Sequence, residues 1–153
     1  MLEVLDIRTL LIAVFVTHAV CLAALVALRL KIRSIPGVRH LAIGQALSIL
    51  GVALYWPDDA VFDLVSKTFG NAFSVAWMAL SFDGTRRFFR RPTRWPTWPL
   101  ALLLLPCFAY WTLVESETEW RVLATIGPMA SLGFATAWTA ITSSQREERP
   151  LSA

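Results

Sequence analysis

The residue in this 153-residue chain whose chemistry stands out first is His18. It lies near the middle of residues 9–28, a run without Asp, Glu, Lys or Arg. An ionisable group inside such a run is a candidate functional residue because its burial in hydrocarbon is costly. Neutral histidine also bonds between helices, so helix packing and ligand or proton sensing both stay open. A metal site needs converging ligands, and His40, the other histidine, lies far along the chain, so we expect no metal and no cofactor.

A second polar series begins before the third apolar run. Asp63, Lys67 and Asn71 recur every four residues, which places them on one face of a helix. Asp63 and Lys67 have the acid-first spacing of a favourable ion pair. The series is either a hydrated helix mouth or the polar wall of an outward-facing pocket. Together with His18 and Gln45, these three residues are the predicted ligand-binding set.

Residues 86–91 read RRFFRR, the densest basic cluster of the chain. Arginines interleaved with aromatic residues can bind single-stranded nucleic acid. This cluster directly follows an apolar run, however, so the nearest phosphates are anionic lipid headgroups. We therefore expect the bilayer, and not nucleic acid, to be its partner. The predicted topology anchors are Arg86, Arg87, Arg90 and Arg91.

Motifs of soluble catalysis are missing from the sequence. It contains no Gly-rich phosphate loop, HExxH, CxxC or G-x-S-x-G. Cys21 and Cys107 both lie in apolar runs, where a free cysteine behaves as a small hydrophobic residue. We expect no catalytic residue and no enzymatic activity.

The composition indicates that these side chains lie on membrane-spanning helices. Hydrophobic residues make up 56% of the chain and charged residues 16%, where a soluble domain has about 25% charged. Five apolar runs approach the roughly 20 residues that cross a bilayer as a helix. We predict one all-α membrane domain, residues 1–153, with spans at about 9–28, 41–56, 61–82, 95–114 and 122–145.

The basic residues orient this bundle. Eleven of the fourteen Lys and Arg residues fall in predicted loops 29–40 and 83–94 and in the tail, 146–153. Basic loops face the cytoplasm. The five spans therefore place the N-terminus outside and the C-terminus in the cytoplasm.

Small residues at regular spacing mark three predicted helix–helix contact faces, because they let backbones approach closely. They are Gly44, Ser48 and Gly51 in the second span, Gly70 and Ser74 in the third, and Gly127, Ser131 and Ala135 in the fifth.

Several short segments carry a family resemblance. They are residues 5–11 (LDIRTLL), 35–37 (IPG), 84–92 (GTRRFFRRP), 110–112 (YWT) and 120–122 (WRV), with Asn71. The chain resembles the N-terminal membrane region of bacterial GGDEF-type diguanylate cyclases. The resemblance implies a multi-pass module of the bacterial inner membrane that serves cyclic-di-GMP signalling, with a cytoplasmic output domain or partner and a homodimer as its expected associations.

Members of that family usually continue into further spans and a cyclase domain with a GG[D/E]EF signature. The sequence to Ala153 contains no such signature, so neither cyclase activity nor its active-site residues are carried over. A truncated gene, a fragment and a stand-alone relative all fit this departure. We expect a non-catalytic sensory or anchoring module. The alternative is a small transporter or transporter subunit, which predicts inverted repeats and ionisable groups near the midplane; the sequence offers only His18.

Overall fold

A computed structural model describes residues 7–32, 34–55, 66–92, 97, 99–113 and 118–147. Over these residues the chain forms five α-helices and no strand, which confirms the all-α prediction for this part. The helices are α1 (Ile7–Lys31), α2 (Val38–Ala53), α3 (Asn71–Phe88), α4 (Pro99–Leu113) and α5 (Thr118–Glu147). A π-helical turn, Ser66–Gly70, leads directly into α3.

Each predicted span overlaps one helix, but the helix ends differ from the predicted ends. Helix α3 continues past residue 82 to Phe88, so the predicted basic loop 83–94 begins inside a helix. Arg86 and Arg87 thus form its last turn, where positive charge interacts favourably with the negative end of the helix dipole. Part of the third predicted span, residues 61–65, lies outside the described residues.

Helix α1 is long and apolar enough to cross a membrane, which supports membrane association. Of the described helices it alone combines the length and hydropathy of a span, over residues 9–31, and none of that apolar stretch is buried inside the protein. Its 23 residues extend about 35 Å, enough for roughly 30 Å of hydrocarbon. Helix α2 is apolar but shorter, with 16 residues.

Helices α2 and α3 approach most closely where glycines face each other. Gly37 has φ +87°, and a Cβ placed on it would lie 2.1 Å from the carbonyl oxygen of Gly84. Further along, a Cβ on Gly44 would lie 3.2 Å from the carbonyl oxygen of Trp77. Gly44, Ser48 and Gly51 are all buried, so the predicted contact face of α2 is confirmed.

Helix α3 is the centre of the bundle and packs against α2, α4 and α5, while α1 packs against α2. Val75 of α3 and Phe108 of α4 are fully buried and form the core with Ala72. The predicted face on α5 is different: Gly127 and Ser131 are exposed, and no other described residue lies within 4 Å of a Cβ built on Gly127. That contact is therefore not made within the described part of the chain.

Candidate functional site

Three helices meet at a polar junction formed by His18 of α1, Gln45 of α2 and Trp77 of α3. Nδ1 of His18 is hydrogen-bonded to Oε1 of Gln45. Because an amide oxygen only accepts, Nδ1 carries the proton, and in the neutral ring Nε2 keeps a free lone pair. The His18 ring also packs edge-to-face on Trp77, with centroids 4.8 Å apart at 83°.

The polar junction retains unused hydrogen-bonding capacity. The indole Nε1 of Trp77 is buried and has no partner among the described residues. A buried donor without a partner costs about 1–3 kcal/mol. The junction therefore contains one donor that its described neighbours leave unsatisfied. Sequence reasoning singled out His18 and Gln45 but treated Trp77 as packing; its place beside a midspan histidine depends on helix pairing that local pattern does not encode.

A second polar group lies at the start of α3. The side-chain amide of Asn71 donates to the Lys67 carbonyl oxygen at 2.6 Å, and the Tyr55 hydroxyl donates to Asn71 Oδ1 at 3.2 Å. Ser74 donates to the Gly70 carbonyl oxygen at 2.9 Å, within its own helix. Asp63, and with it the predicted pairing to Lys67, lies outside the described residues.

The predicted ligand-binding residues form two groups. Along the axis of α2, the polar junction lies at the height of Gln45. The Asn71 group lies at the height of Gly51, because a Cβ built on Gly51 would contact Gly70 and Phe73, on either side of Asn71. Six residues of helix separate the two levels, about 9 Å along the axis. Neither of the two cavities described below has any of these candidates in its lining.

The other end of the bundle, where α2 begins and α3 ends, holds a buried carboxylate that sequence reasoning missed. Asp83 is only 2% exposed, and its Oδ2 accepts from the backbone N–H of Thr97 at 2.9 Å. The Thr97 hydroxyl donates to the Ala79 carbonyl oxygen at 2.9 Å. Asp83 thus holds Thr97 against α3. The prediction ended the third span at residue 82, which placed Asp83 in a solvated loop.

His40 lies close to this carboxylate. Burial lowers the pKa of the His40 imidazole, and the positive charges of Arg87 and Arg39 lower it further, against the opposing effect of Asp83. Its Nδ1 is buried and has no partner in the described part of the chain. His40 therefore lies in a locally positive environment.

The four predicted anchor arginines divide into two pairs. Arg86 donates to the Pro92 carbonyl oxygen and lies over the Phe82 ring, 5.5 Å from its centroid. Arg91 crosses to α5, where it donates to the hydroxyls of Ser143 at 3.2 Å and Thr142 at 3.3 Å. The remaining pair, Arg87 and Arg90, is exposed.

Two cavities open at this end. The apolar cavity, about 490 Å³, lies between α2, α3 and α4 and is lined mainly by Ile43, Leu47, Ala76, Leu80, Leu102 and Leu105. The basic pocket, about 410 Å³, lies between the turn before α2 and the end of α3, and its charged lining is Arg39, His40, Arg87, Arg90 and Arg91. Arg39 and His40 line both.

The remaining candidates for chemistry are metal ligands and the two cysteines. Over that part of the chain, no three His, Cys, Asp or Glu residues lie close enough to hold a metal ion. Cys21 and Cys107 are free thiols on α1 and α4.

Comparisons with models of known protein families, with curated proteins and with solved structures find no match for this chain.

Proposed function

We propose that the chain is a non-catalytic sensory or anchoring module of the bacterial inner membrane that serves cyclic-di-GMP signalling. In this proposal five spans cross the bilayer, with the N-terminus outside and the C-terminus in the cytoplasm. The module couples to a cytoplasmic output domain or partner. The family assignment within the proposal rests on the sequence resemblance.

The observation that carries the sensory part is the polar junction. His18 and Gln45 bond across two helices, and Trp77 of a third helix lies against the same imidazole. A ligand that accepts from Trp77 Nε1 or donates to His18 Nε2 would add a hydrogen bond at the junction. It can shift the helix packing only by binding one arrangement more tightly than another. The junction is suited to that, because His18 contacts both α2 and α3, so a movement of its ring alters both contacts.

A continuous set of contacts leads from the junction towards the C-terminal end of α5. Trp77 and Asp83 lie on the same helix, α3, and Arg91 follows its end. Arg91 bonds to Thr142 and Ser143 near the end of α5. A displacement of α3 would thus reach the segment from which a cytoplasmic output domain would extend.

Exposed apolar side chains support the multi-pass arrangement. Leu30 of α1, Leu103 of α4 and Phe134 of α5 are each more than 70% exposed. Extensive apolar exposure of this kind marks a surface that is covered by something other than water. Lipid covers it in the proposed arrangement, with the basic residues on the cytoplasmic side.

Reporter fusions test the topology. Junctions after Ile35, Asp59, Pro92, Ser116 and Ala153 should report cytoplasm, periplasm, cytoplasm, periplasm and cytoplasm in turn, as basic loops are retained inside. A cytoplasmic signal after Asp59 or Ser116 would contradict five spans.

A fusion to a diguanylate cyclase domain tests the signalling role. The 153 residues are joined to the cyclase in a strain that lacks its own, and cyclic-di-GMP is measured across growth conditions. His18→Ala and Gln45→Ala remove the polar junction. Thr17→Ala is the matched control, because Thr17 is exposed and, among the described residues, its hydroxyl donates to the Ala13 carbonyl oxygen of its own helix.

A second pair tests the route to α5. Arg91→Gln removes the contacts with Thr142 and Ser143, while Arg29→Gln removes an equal charge from the exposed end of α1, away from that route. We expect output to change in His18→Ala, Gln45→Ala and Arg91→Gln, and to stay at the wild-type level in both controls. If all variants insert and give the wild-type output under every condition, the module is an anchor and does not sense.

A further inference from the structure

The apolar cavity and the basic pocket adjoin at the first turn of α2. Arg39 and His40 line both of them, so a ligand that passes these two side chains can occupy the two together. Each has a volume within the range typical of small-molecule sites. The pair of cavities therefore fits a ligand with one apolar part and one polar part.

The charge of the basic pocket selects the polar part. Arg39, Arg87, Arg90 and Arg91 all line it, and among the described residues its lining contains no carboxylate. Asp83, which lies near His40, is buried and turned to the Thr97 N–H. Residues 35–37 also line the pocket, at the start of α2, where backbone N–H groups and the helix dipole favour an anion. Guanidinium groups bind phosphate with matching geometry.

The apolar cavity selects the other part. Ile43 and Leu47 of α2 face Leu102 and Leu105 of α4 across it, with Ala76 and Leu80 of α3 at its wall. Phe73, the aromatic residue of its lining, lies on α3 as well. Such a surface is suited to a hydrocarbon chain. It also runs along the helices, as an acyl chain does in a bilayer leaflet.

We propose that one anionic phospholipid binds here, with its phosphate in the basic pocket and an acyl chain in the apolar cavity. Arg39 links the two parts at the level of the ester region. Arg87 and Arg90, which are both exposed, contact the phosphate. Arg91 contributes while it remains bonded to α5, so the lipid would touch the same residue that joins α3 to α5. The site does not depend on whether the module senses through the polar junction.

Binding is measured on the full chain, purified in a neutral detergent, by native mass spectrometry with phosphatidylglycerol or phosphatidylcholine as the probe. Arg87→Gln with Arg90→Gln removes two charges from the pocket. Arg29→Gln with Lys31→Gln removes two charges from the exposed end of α1, outside both cavities, and is the matched control. Ile43→Phe fills the apolar cavity without any change of charge. Thermal unfolding in detergent verifies that each variant is folded.

We expect phosphatidylglycerol to bind at least about tenfold more tightly than phosphatidylcholine, and the pocket variant to lose about tenfold or more of that affinity. Ile43→Phe should also weaken binding, whereas the Arg29/Lys31 control should change it less than about twofold. Equal binding of the two lipids, or equal losses in the pocket variant and its control, would overturn the proposal.

An inorganic phosphate titration distinguishes a soluble anion from a lipid. Millimolar phosphate that displaces phosphatidylglycerol, together with an unchanged affinity in Ile43→Phe, would mean that the pocket takes a free phosphate group, and the lipid proposal would be wrong. Phosphate that fails to displace the lipid supports it. If the pocket variant does not fold, the contrast between Ile43→Phe and the wild type decides the question.

Discussion

Helices α2 and α5 carry small residues at similar spacing, but only one of these faces is packed. On α2, Gly44 and Gly51 contact the backbone or Cβ atoms of α3. On α5, a Cβ built on Gly127 would meet no other described residue within 4 Å, and one built on Gly133 would meet only the Cε of Met78, at 4.0 Å. Small residues permit close approach but do not cause it. At α2 the approach is reciprocal, since Gly70, just before α3, lies opposite Gly51, and Gly84 of α3 lies opposite Gly37.

The largest difference in stability loss is expected between alanine at Gly37, which has a positive φ, and alanine at Gly127 of α5. Gly37→Ala places a Cβ 2.1 Å from the Gly84 carbonyl oxygen and requires φ +87° of an L-residue. We expect a loss of about 3 kcal/mol or more in the free energy of unfolding. Reversible unfolding in mixed micelles measures it. Gly127→Ala, the matched control on α5, should be neutral or stabilising because alanine favours helix. Equal effects at the two positions would remove the contrast.

A bulkier side chain sharpens the comparison inside the helices. Gly44→Leu must displace Trp77 and Leu80, whose atoms lie 3.2–3.4 Å from the Cβ position. Overpacking of this kind costs about 1–3 kcal/mol. Gly133→Leu should cost less, since its one neighbour is a flexible methionine end at 4.0 Å. The same unfolding measurement on both variants tests the order, and a greater loss for Gly133→Leu would reverse it.

Hydrogen bonds between helices should also contribute more to stability than hydrogen bonds within α5, but the difference in free energy should be smaller. His18 bonds to Gln45 across helices, while Thr136 of α5 donates to the Leu132 carbonyl oxygen of its own helix. A double-mutant cycle of His18→Ala and Gln45→Ala should give a coupling of about 0.6–2 kcal/mol. A cycle of Thr136→Ala with Gln45→Ala should give a coupling near zero. Coupling of similar size in both cycles would show that the polar junction has no special role.

The smallest expected effect is a pH dependence at the basic end. Since the folded pKa of His40 lies below its usual 6.5, the unfolded chain binds more protons as pH falls through that value. Stability from the neutral imidazole is therefore present above about pH 6.5 and declines below it. The Tm of the wild type minus the Tm of His40→Gln should become smaller as the pH is lowered from 7.5 to 5. A difference that stays constant, or shifts towards the wild type, would contradict the burial argument.

Sequence pattern predicted the helices and the packed face of α2, because apolar runs and small-residue spacing are local properties. It also singled out His18, but not the helix that would lie against it, since pairing between distant segments leaves no local signal. The predicted third span ends at residue 82, directly before the charged residue Asp83, whereas helix α3 ends at Phe88. A helix continues through charged residues when its last turn is basic, and Asp83 was missed for that reason.

The bond between Asp83 and Thr97 also has a consequence for biosynthesis. The carboxylate leaves the ribosome fourteen residues before the N–H that binds it. In the proposed five-span arrangement, a chain halted before Thr97 carries an acidic group near the end of α3 that has not yet gained its partner. Because an unpaired carboxylate is costly in hydrocarbon, we expect α3 to stay near the insertion machinery until the next helix emerges. Helices α3 and α4 would then enter the bilayer as one hairpin, and the timing of translation would become part of how the bundle closes.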